Sequence, residues 1–439
     1  MKRLFCFFLC VFLIFLCGCQ SSTDRQVGHA SNTVHTPSQS ESVSSQGNSS
    51  LISSEESSSK ESSAVISSQI ISVSEDELSS SQTVSTPPVN IPLAETLLEQ
   101  MSLEEKVAQL FIVCPESLNL TQDDTLRGGS ITAINPYISD ALTRYPVGGV
   151  ILFSANVVSP AQLDALNFAF NMSSKIPLFL SVDEEGGNVA RIAGNNTFGL
   201  TNHGSALYLK TPEKVSLVYN YIGEYLKKYK FNLDFAPVAD IYSNSNNTVI
   251  GSRAFGKDAA TVNALLPKAI KGISDNGIIP CIKHFPGHGD TAQDSHTGLA
   301  ITHRTREEME NCEWIPFREA GFADFVMVGH IAAPEITGDM TPATLSYRMV
   351  TEILKGDLGF TGLVITDAMD MGAITQAYPS GEAAVAALQA GCDMILMPED
   401  LPEAFEAVLA ALEDGTLSEE WLNETVRRIL EFKELHGIL

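Results

Sequence analysis

The 439-residue chain is short of basic residues, of dispersed cysteines and of long apolar runs. Only 27 lysines and arginines stand against 53 acidic residues, so the formal charge is −26 and we expect no nucleic acid partner. Four of the eight cysteines lie within the first 19 residues, and the others are far apart: Cys114, Cys281, Cys312 and Cys392. This pattern excludes a disulfide-stapled scaffold and a CxxC metal site.

Several catalytic motifs are missing as well. The sequence contains no GxSxG elbow, no phosphate-binding P-loop, no HExxH and no GxGxxG after an apolar run. Esterases of the hydrolase fold, nucleotide-binding proteins and zincins are therefore not supported, and nothing indicates an organic cofactor. With 44% hydrophobic residues, the chain can nevertheless bury a large core.

Residues 1–18 are typical of an export signal. Basic Lys2 and Arg3 precede an apolar run from Leu4 to Leu16 that is too short to span a bilayer comfortably. The small residues before Cys19 resemble a bacterial lipobox, which implies a lipid anchor on Cys19 and a location on the extracellular face of the membrane. A simple signal peptide or a signal anchor stays an alternative, because a cysteine at position 17 is unusual in a lipobox.

Residues 19–89 differ sharply from the rest of the chain. Between Gln20 and Pro88, 25 of 69 residues are serine and none is aromatic. Such a segment cannot offset its ordering entropy by burial, so we predict a disordered linker. The folded domain should span residues 90–439, and we expect no second large domain after its last helical pattern, Trp421 to Leu435.

Beyond the linker, short apolar runs alternate with longer amphipathic stretches. Continuous apolar runs are typical of parallel strands that are buried on both faces. We predict eight such strands: Leu110 to Val113, Gly149 to Phe153, Leu178 to Val182, Phe231 to Pro237, Ile278 to His284, Phe325 to Gly329, Leu363 to Thr366, and Met394 to Met397. Helical patterns lie between them, among others Ser159 to Ser174, Pro212 to Lys228, Arg306 to Gly321, and Gly381 to Ala390.

Eight β-then-α units in about 350 residues predict an α/β fold, a single (β/α)₈ barrel of the TIM type, with a doubly wound open sheet as the alternative. Polar residues cluster where the apolar runs end: Asp183 to Glu185, Asp240, Lys283 with His284, His330, and Asp367. In a barrel these carboxyl ends share one face, and the chemistry takes place there.

The segment from Lys283 to His296 holds three histidines, two aspartates and a lysine within fourteen positions. A metal site built from His284, His288 and His296 is one interpretation, and a solvated loop without a role is another. Helical metal-ligand spacing is disfavoured, because Pro286 and two glycines interrupt the segment.

The sequence KHFPGHGD, starting at Lys283 and followed by Asp294-Ser295-His296, resembles the signature of family 3 glycoside hydrolases in their β-N-acetylhexosaminidase branch. The segments DEEGG from Asp183, FAPVAD from Phe235, GSRAFG from Gly251 and VITDAM from Val364 are similar to other segments of that family, in the same order. The resemblance runs from about Ile91 to the end of the chain. It implies a barrel, a retaining mechanism, and no metal or other cofactor.

By resemblance, Asp367 is the nucleophile, His296 the acid and base, and Asp294 the residue that orients His296. Retaining hydrolysis needs a carboxylate beneath the anomeric carbon and a proton donor beside the leaving oxygen, and an imidazole next to a carboxylate can supply that proton. Alternatives stay open: Asp367 as a helix cap, Asp370 as the nucleophile, and His296 as a cap or a solvent-facing residue. Gly287 and Gly289 would let the loop open and close.

The resemblance also implies that five residues contact the sugar hydroxyls: Asp183, Arg191, Arg253, Lys283 and His284. Charged donors and acceptors make strong, directional hydrogen bonds to a neutral polyol. For Arg253 the alternative is a structural role, in an ion pair with Asp240 or another buried acid. For His330 the alternative is that it only fills the mouth of the barrel.

These features predict a lipid-anchored, retaining exo-β-N-acetylglucosaminidase. Its substrate would be an oligosaccharide or muropeptide ending in β-linked GlcNAc, most naturally a peptidoglycan fragment. The alternatives are a phosphorylase or β-glucosidase of the same fold, and a non-catalytic sugar-binding lipoprotein. The oligomeric state does not follow from the sequence.

Overall fold

The computed structural model describes residues 93–121, 129–319 and 323–439. The predicted signal peptide, Cys19 and the serine-rich linker lie outside these residues. Eight short parallel strands form the centre of the fold: β1 (Phe111–Val113), β2 (Gly149–Leu152), β3 (Phe179–Val182), β4 (Leu233–Asp234), β5 (Ile279–Phe285), β6 (Phe325–Val328), β7 (Leu363–Thr366) and β8 (Ile395–Leu396).

The strands pair in chain order from β1 to β7, and β8 pairs with β1. A parallel bridge between Ile365 and Met394 joins β7 to β8 and nearly closes the ring. All eight strand predictions are confirmed, with ends shifted by a few residues, and the closed order favours the barrel over the open sheet. The strand that differs most from its prediction is β4, which ends at Asp234. Pro237, at the end of the predicted strand, has no N–H to donate to a neighbouring strand.

Helices surround the strands and connect each strand to the next. The α-helices are α1 (Leu93–Gln100), α2 (Leu103–Ala108), α3 (Pro136–Arg144), α4 (Pro160–Ser173), α5 (Pro212–Lys228), α6 (Ala259–Ser274), α7 (Arg306–Glu310), α8 (Trp314–Glu319), α9 (Pro334–Thr337), α10 (Gly372–Thr375), α11 (Ser380–Ala390), α12 (Leu401–Glu413) and α13 (Glu419–Leu435). A π-helix spans Arg348–Asp357. No helix of the described residues is long and apolar enough to cross a membrane.

Sequence signals explain where several helices begin. At α4 the side chain of Ser159 accepts a hydrogen bond from the N–H of Gln162, and Pro160 occupies the first turn. The single helix predicted from Arg306 to Gly321 is wrong, because α7 ends at Glu310 and α8 begins at Trp314. This break places Pro316 in the first turn of α8, where its missing N–H costs no hydrogen bond.

The amino end of the barrel is closed by apolar packing. Phe179 of β3 and Phe325 of β6 meet edge to face across the interior, with ring centroids 5.5 Å apart. Lys433 of α13 lies over the ring of Phe179 and donates to Gln109 Oε1 at 2.8 Å. Burial lowers the pKa of Lys433 to about 7. A packed lower end leaves the carboxyl ends of the strands as the open face.

Candidate active site

A cavity of about 340 Å³ opens at the carboxyl ends of the strands. Seven of the eight side chains predicted to act on the sugar line it: Asp183, Arg191, Arg253, Lys283, His284, His296 and Asp367. The eighth, Asp294, lies just outside and holds the ring of His296 at 2.7 Å. Residues spread over 185 positions of the chain thus meet at one site, because parallel strands in a barrel end on the same face.

One wall of the cavity is a network of paired charges. Lys283 Nζ donates to Asp183 Oδ1 at 2.6 Å and lies 2.7 Å from Glu185 Oε1. The guanidinium of Arg253 donates two hydrogen bonds to the carboxylate of the same Glu185, at 2.8 and 2.7 Å. Burial acts to raise the pKa of Glu185, but the charges of Arg253 and Lys283 outweigh it and hold this pKa well below its ordinary value. Glu185 therefore keeps two cations side by side at the cavity wall.

Of the three cations in this wall, Arg191 has the weakest contacts with its neighbours. Its guanidinium lies over the ring of Phe153 at 5.5 Å and approaches Asp183 Oδ2 at 3.5 Å. Its buried Nε atom has no hydrogen-bond partner among the described residues. Arg191 therefore retains hydrogen-bonding capacity that its neighbours in the described residues do not use.

The ring of His284 is held from behind by Asp240. Its Nδ1 lies 2.6 Å from Asp240 Oδ2, and the backbone N–H groups of His284 and His288 donate to the same carboxylate. The side chain of Asp240 is fully buried. Burial acts to raise the pKa of Asp240, but His284 and His288 outweigh it and lower this pKa. The pairing leaves Nε2 of His284 directed at the cavity, 3.4 Å from Arg253.

Asp367 follows β7 directly. Its N–H donates to Val328 O at 2.8 Å, and its Oδ1 accepts from the N–H of Ala368 at 2.8 Å. No helix begins there, since α10 starts at Gly372, so the helix-cap interpretation of Asp367 is wrong. Burial acts to raise the pKa of Asp367, but the nearby His284 and His330 lower it below its ordinary value. The residue is thus an ionised carboxylate with one oxygen, Oδ2, unpaired within the described residues.

The pair of Asp294 and His296 stands at the rim. Both the N–H and the ring Nδ1 of His296 contact Asp294 Oδ1, at 2.9 and 2.7 Å. Burial acts to raise the pKa of Asp294, but these hydrogen bonds outweigh it and the pKa is lowered. The ring of His296 caps no helix, but its backbone carbonyl accepts from the N–H of Gly372, the first residue of α10, at 3.2 Å, so the cap interpretation holds for the backbone. The geometry leaves Nε2 of His296 free to exchange a proton.

The lower half of the histidine loop is packed tightly. Asn247 donates to the carbonyls of His288 and Thr291 at 2.8 and 3.0 Å. A Cβ at Gly289 would lie 1.7 Å from Ile241 O, and one at Gly287 would lie 2.7 Å from Glu313 Cβ. Close packing is therefore a sufficient reason for glycine at both positions in this conformation, and the loop movement expected from the sequence stays a prediction.

The three histidines of the segment are not brought together as metal ligands. His288 uses both ring nitrogens locally, with Thr291 Oγ1 at 2.9 Å and Ser295 Oγ at 3.0 Å. Over residues 93–121, 129–319 and 323–439, no three His, Cys, Asp or Glu side chains form a group that could hold a metal ion. His330 is buried between Thr344 and the carbonyl of Ala368, and so fills the barrel mouth.

Sequence reasoning missed two carboxylates of the site. Glu185 was seen only as part of a polar cluster, although it is the buried acid that pairs with Arg253. Asp240 was considered as that partner, but it binds His284 instead. A signal for both was present, because each follows an apolar run; the partner of each could not be known before the strands were placed around the barrel.

Comparisons with known proteins agree with this geometry. The family model for the glycosyl hydrolase family 3 N terminal domain matches residues 102–432. The chain is 34% identical to beta-hexosaminidase A of Pseudoalteromonas piscicida over 334 residues, which cover 69% of this chain and 56% of that protein. It is 37% identical to a beta-hexosaminidase of Alkalilimnicola ehrlichii over 275 residues, covering 61% of this chain and 78% of that one.

A similar solved structure is the glycoside hydrolase family 3 beta-N-acetylglucosaminidase from Paenibacillus sp. str. FPU-7. It superimposes with a TM-score of 0.71 at 34% identity, over 77% of this chain and 63% of that one. The chain thus spans somewhat more than half the length of the P. piscicida relative and of this structure. Because the family model covers about three quarters of the sequence, from Ser102 to Phe432, the chain belongs to glycoside hydrolase family 3.

Proposed function

We propose that this chain is a retaining exo-β-N-acetylglucosaminidase that removes terminal β-linked GlcNAc from saccharides. The observation that carries the proposal is the meeting of an ionised carboxylate, Asp367, and an imidazole paired with a carboxylate, His296 with Asp294, at one cavity. These are the two functions that retaining hydrolysis requires. The names of the relatives, beta-hexosaminidase and beta-N-acetylglucosaminidase, support the sugar specificity.

In the first step, Asp367 Oδ2 attacks the anomeric carbon while the glycosidic C–O bond breaks. Protonated Nε2 of His296 gives its proton to the leaving oxygen, and Asp294 stabilises the ring through Nδ1. In the second step, a water molecule attacks the glycosyl-aspartate carbon, its proton passes to His296, and the carboxylate of Asp367 is released. The stereochemistry at the anomeric carbon is retained because it inverts twice.

The polar wall would bind the sugar at the reacting position. Arg191 keeps one donor without a partner, Asp183 Oδ2 has only the 3.5 Å contact with Arg191, and His284 directs Nε2 at the cavity. Lys283 and Arg253, already paired with Glu185, would add hydrogen bonds that are strengthened by their charge.

Hydrolysis of chromogenic β-GlcNAc and β-glucoside substrates by the purified protein, with and without phosphate and a chelator, tests the proposal. We expect preference for GlcNAc and no dependence on phosphate or chelator, and Asp367→Ala should abolish turnover. Asp370→Asn is the matched control, because Asp370 lines the same cavity three residues away. Phosphate-dependent turnover would identify a phosphorylase, binding without turnover a sugar-binding lipoprotein, and full activity of Asp367→Ala would overturn the mechanism.

We also propose that the protein is anchored by a lipid on Cys19 at the extracellular face of the membrane, and that its natural substrates are peptidoglycan fragments. The lipobox-like residues before Cys19 and the acidic composition support this location. Expression of the full chain and of Cys19→Ala, followed by separation of membrane and soluble fractions, tests the anchor. Wild-type and variant proteins in the same fraction would contradict it.

A further inference from the structure

The end of the histidine loop, residues 294–298, lies against the segment that follows β7. Three successive backbone carbonyls accept hydrogen bonds from this segment, those of Ser295, His296 and Thr297. The donors are, in the same order, the N–H of Ala373 at 3.3 Å, the N–H of Gly372 at 3.2 Å and the side-chain amide of Gln376 at 2.9 Å. We call residues 372–376, which comprise α10 and its C-cap, the docking turn.

The pair of Asp294 and His296 depends on such backbone contacts for its place in the site. The side chain of His296 is mostly exposed and that of Asp294 about half exposed. Because the two residues are bonded within one loop, their pairing fixes the ring relative to the loop but not relative to Asp367. The contacts with the docking turn supply this second relation.

The docking turn itself is fixed relative to the carboxylate of Asp367. The N–H of Asp367 donates to Val328 O in β6 at 2.8 Å, and the N–H of Met369 donates to Leu396 O in β8 at 2.9 Å. Only four residues separate Asp367 from Gly372. One short segment, bonded to two strands of the barrel, therefore carries the nucleophile at one end and the contacts with the loop at the other.

The loop is also held from the inside, at Ser295. The Oγ of Ser295 lies 3.0 Å from Nε2 of His288, and both residues are buried. The N–H of His288 donates to Asp240 Oδ1 at 2.7 Å, which fixes it to the barrel. Ser295 thus contacts the barrel through its side chain and the docking turn through its carbonyl, and its chain neighbours are Asp294 and His296.

We propose that the docking turn sets the distance between the proton donor His296 and the nucleophile Asp367, and that Gly372 and Gln376 are positioning residues for proton transfer. This inference rests on the proposed glycosidase function. The close approach explains the glycine, because a Cβ at position 372 would lie 2.9 Å from Gln376 Nε2 and 3.0 Å from His296 O. Neither Gly372 nor Gln376 lines the cavity, so each acts on the reaction through the loop.

Gly372→Ala tests the docking directly. The added methyl group must displace the amide of Gln376 and the carbonyl of His296, whereas alanine suits a helical position better than glycine. We expect kcat/KM to fall by about tenfold or more on phenyl β-GlcNAc, because its leaving oxygen needs a well-placed proton donor. On a dinitrophenyl β-GlcNAc, whose leaving group needs little protonation, the fall should be less than about threefold.

Gln376→Ala removes one of the three contacts and leaves the backbone unchanged. We expect the same preference with a smaller loss, about two- to fivefold on the phenyl substrate. Because Gln376 is exposed, this variant keeps the test independent of the stability of Gly372→Ala. Its matched control is Gln389→Ala, at an exposed glutamine of α11 that does not belong to the docking turn.

Gly298→Ala is the matched control for Gly372→Ala. It adds the same methyl group to the loop, at a position where a Cβ would meet no atom within 4 Å. We expect kcat/KM to stay within about twofold of wild type on both substrates. Thermal denaturation of each variant shows whether the comparison is made on a folded protein.

Three outcomes would overturn the inference: an equal fall on both substrates for the docking-turn variants, no fall for either of them, or the same leaving-group-dependent loss in Gly298→Ala. In each of these cases the wild-type protein still hydrolyses both substrates, so the proposed function stands. A wild-type protein that is inactive on both substrates would overturn the proposed function, and the inference with it.

Discussion

His284 and His296, which line the same cavity as Asp367, are each paired with an aspartate, and the two pairs differ in burial far more than in geometry. The ring Nδ1 lies 2.6 Å from the carboxylate in His284–Asp240 and 2.7 Å in His296–Asp294. The side chains of the first pair are 8% and 0% exposed, those of the second 63% and 45%. The first pair joins the loop after β4 to the end of β5, whereas the second is formed within one loop.

The difference in burial indicates that the two histidine–aspartate pairs have different tasks. Asp240 also accepts two backbone N–H groups, so its carboxylate holds a strand end and a loop in place. Within the part of the chain that the structure describes, the donors to Asp294 all come from its own loop, and its partner His296 is accessible to solvent. We infer that the buried pair orients a binding group, and that the exposed pair moves a proton.

The sharpest way to test this division is His296→Ala. We expect kcat on an aryl β-GlcNAc to fall by about 10²- to 10⁴-fold, the usual contribution of a general acid. The free energy of unfolding should change by less than about 0.5 kcal/mol, because His296 is exposed. Steady-state kinetics and urea denaturation measure the two quantities.

A substrate with a more acidic phenol as leaving group provides the control for His296→Ala. Its glycosylation step needs little protonation, so the loss should be smaller there than with a poor leaving group. An equal loss for both leaving groups would contradict the role of His296 as a proton donor.

Asp240→Ala should mainly lower the stability of the fold, whereas His296→Ala should mainly lower kcat. Removal of a buried carboxylate that accepts three hydrogen bonds leaves several donors unpaired, and we expect a loss of about 3–5 kcal/mol in the free energy of unfolding. Asp294→Ala is the matched variant on the exposed pair, with an expected loss below about 1 kcal/mol. Equal losses in urea denaturation would show that burial does not distinguish the two pairs.

Glu185→Gln extends the comparison to a buried carboxylate that is paired with a lysine and an arginine instead of a histidine. The variant keeps the shape of the side chain but leaves Lys283 and Arg253 adjacent without the charge that neutralises them. We expect kcat/KM to fall by about 10- to 100-fold, through both KM and kcat, because hydrogen bonds to charged groups are strong. Unchanged kinetics would show that Asp183 alone is sufficient to position Lys283.

The sequence allowed the barrel and most of the site to be predicted for a simple reason. Each strand is a short apolar run, polar residues follow five of the eight runs, and a barrel gathers those ends on one face. The pairing of Asp294 with His296 was implied by the resemblance to family 3 glycoside hydrolases, and two residues apart they can lie on the same side of a loop. A local sequence pattern is sufficient to predict a feature whose residues are close together in the chain.

Pairings between distant strands were not accessible in the same way. Glu185 and Arg253 are 68 positions apart, and Asp240 and His284 are 44 apart. Which acid meets which cation depends on the stagger of the strands, and the sequence alone does not give it. The packing requirement at Gly289 was not accessible for the same reason, since the carbonyl of Ile241 that excludes a side chain there belongs to another segment.

The smallest expected effect distinguishes the two pairs by their response to acid. The pKa of Asp240 in the folded protein lies below its ordinary value of 3.8, so its ionised form stabilises the fold above about pH 4, and this contribution is lost as the pH falls through the lowered pKa. The pKa of Asp294 is shifted in the same direction, but solvent screens its half-exposed side chain.

Urea denaturation between pH 6 and pH 3 should therefore separate Asp240→Asn from Asp294→Asn. The difference in the free energy of unfolding between wild-type protein and Asp240→Asn should be constant near pH 6 and should shrink below about pH 4, because the wild-type carboxylate loses its charge there. The difference for Asp294→Asn should stay small throughout. If the Asp294→Asn difference narrowed as much as that of Asp240→Asn, the exposed pair would be as tightly coupled to folding as the buried one, and the division between an orienting pair and a proton-transferring pair would fail.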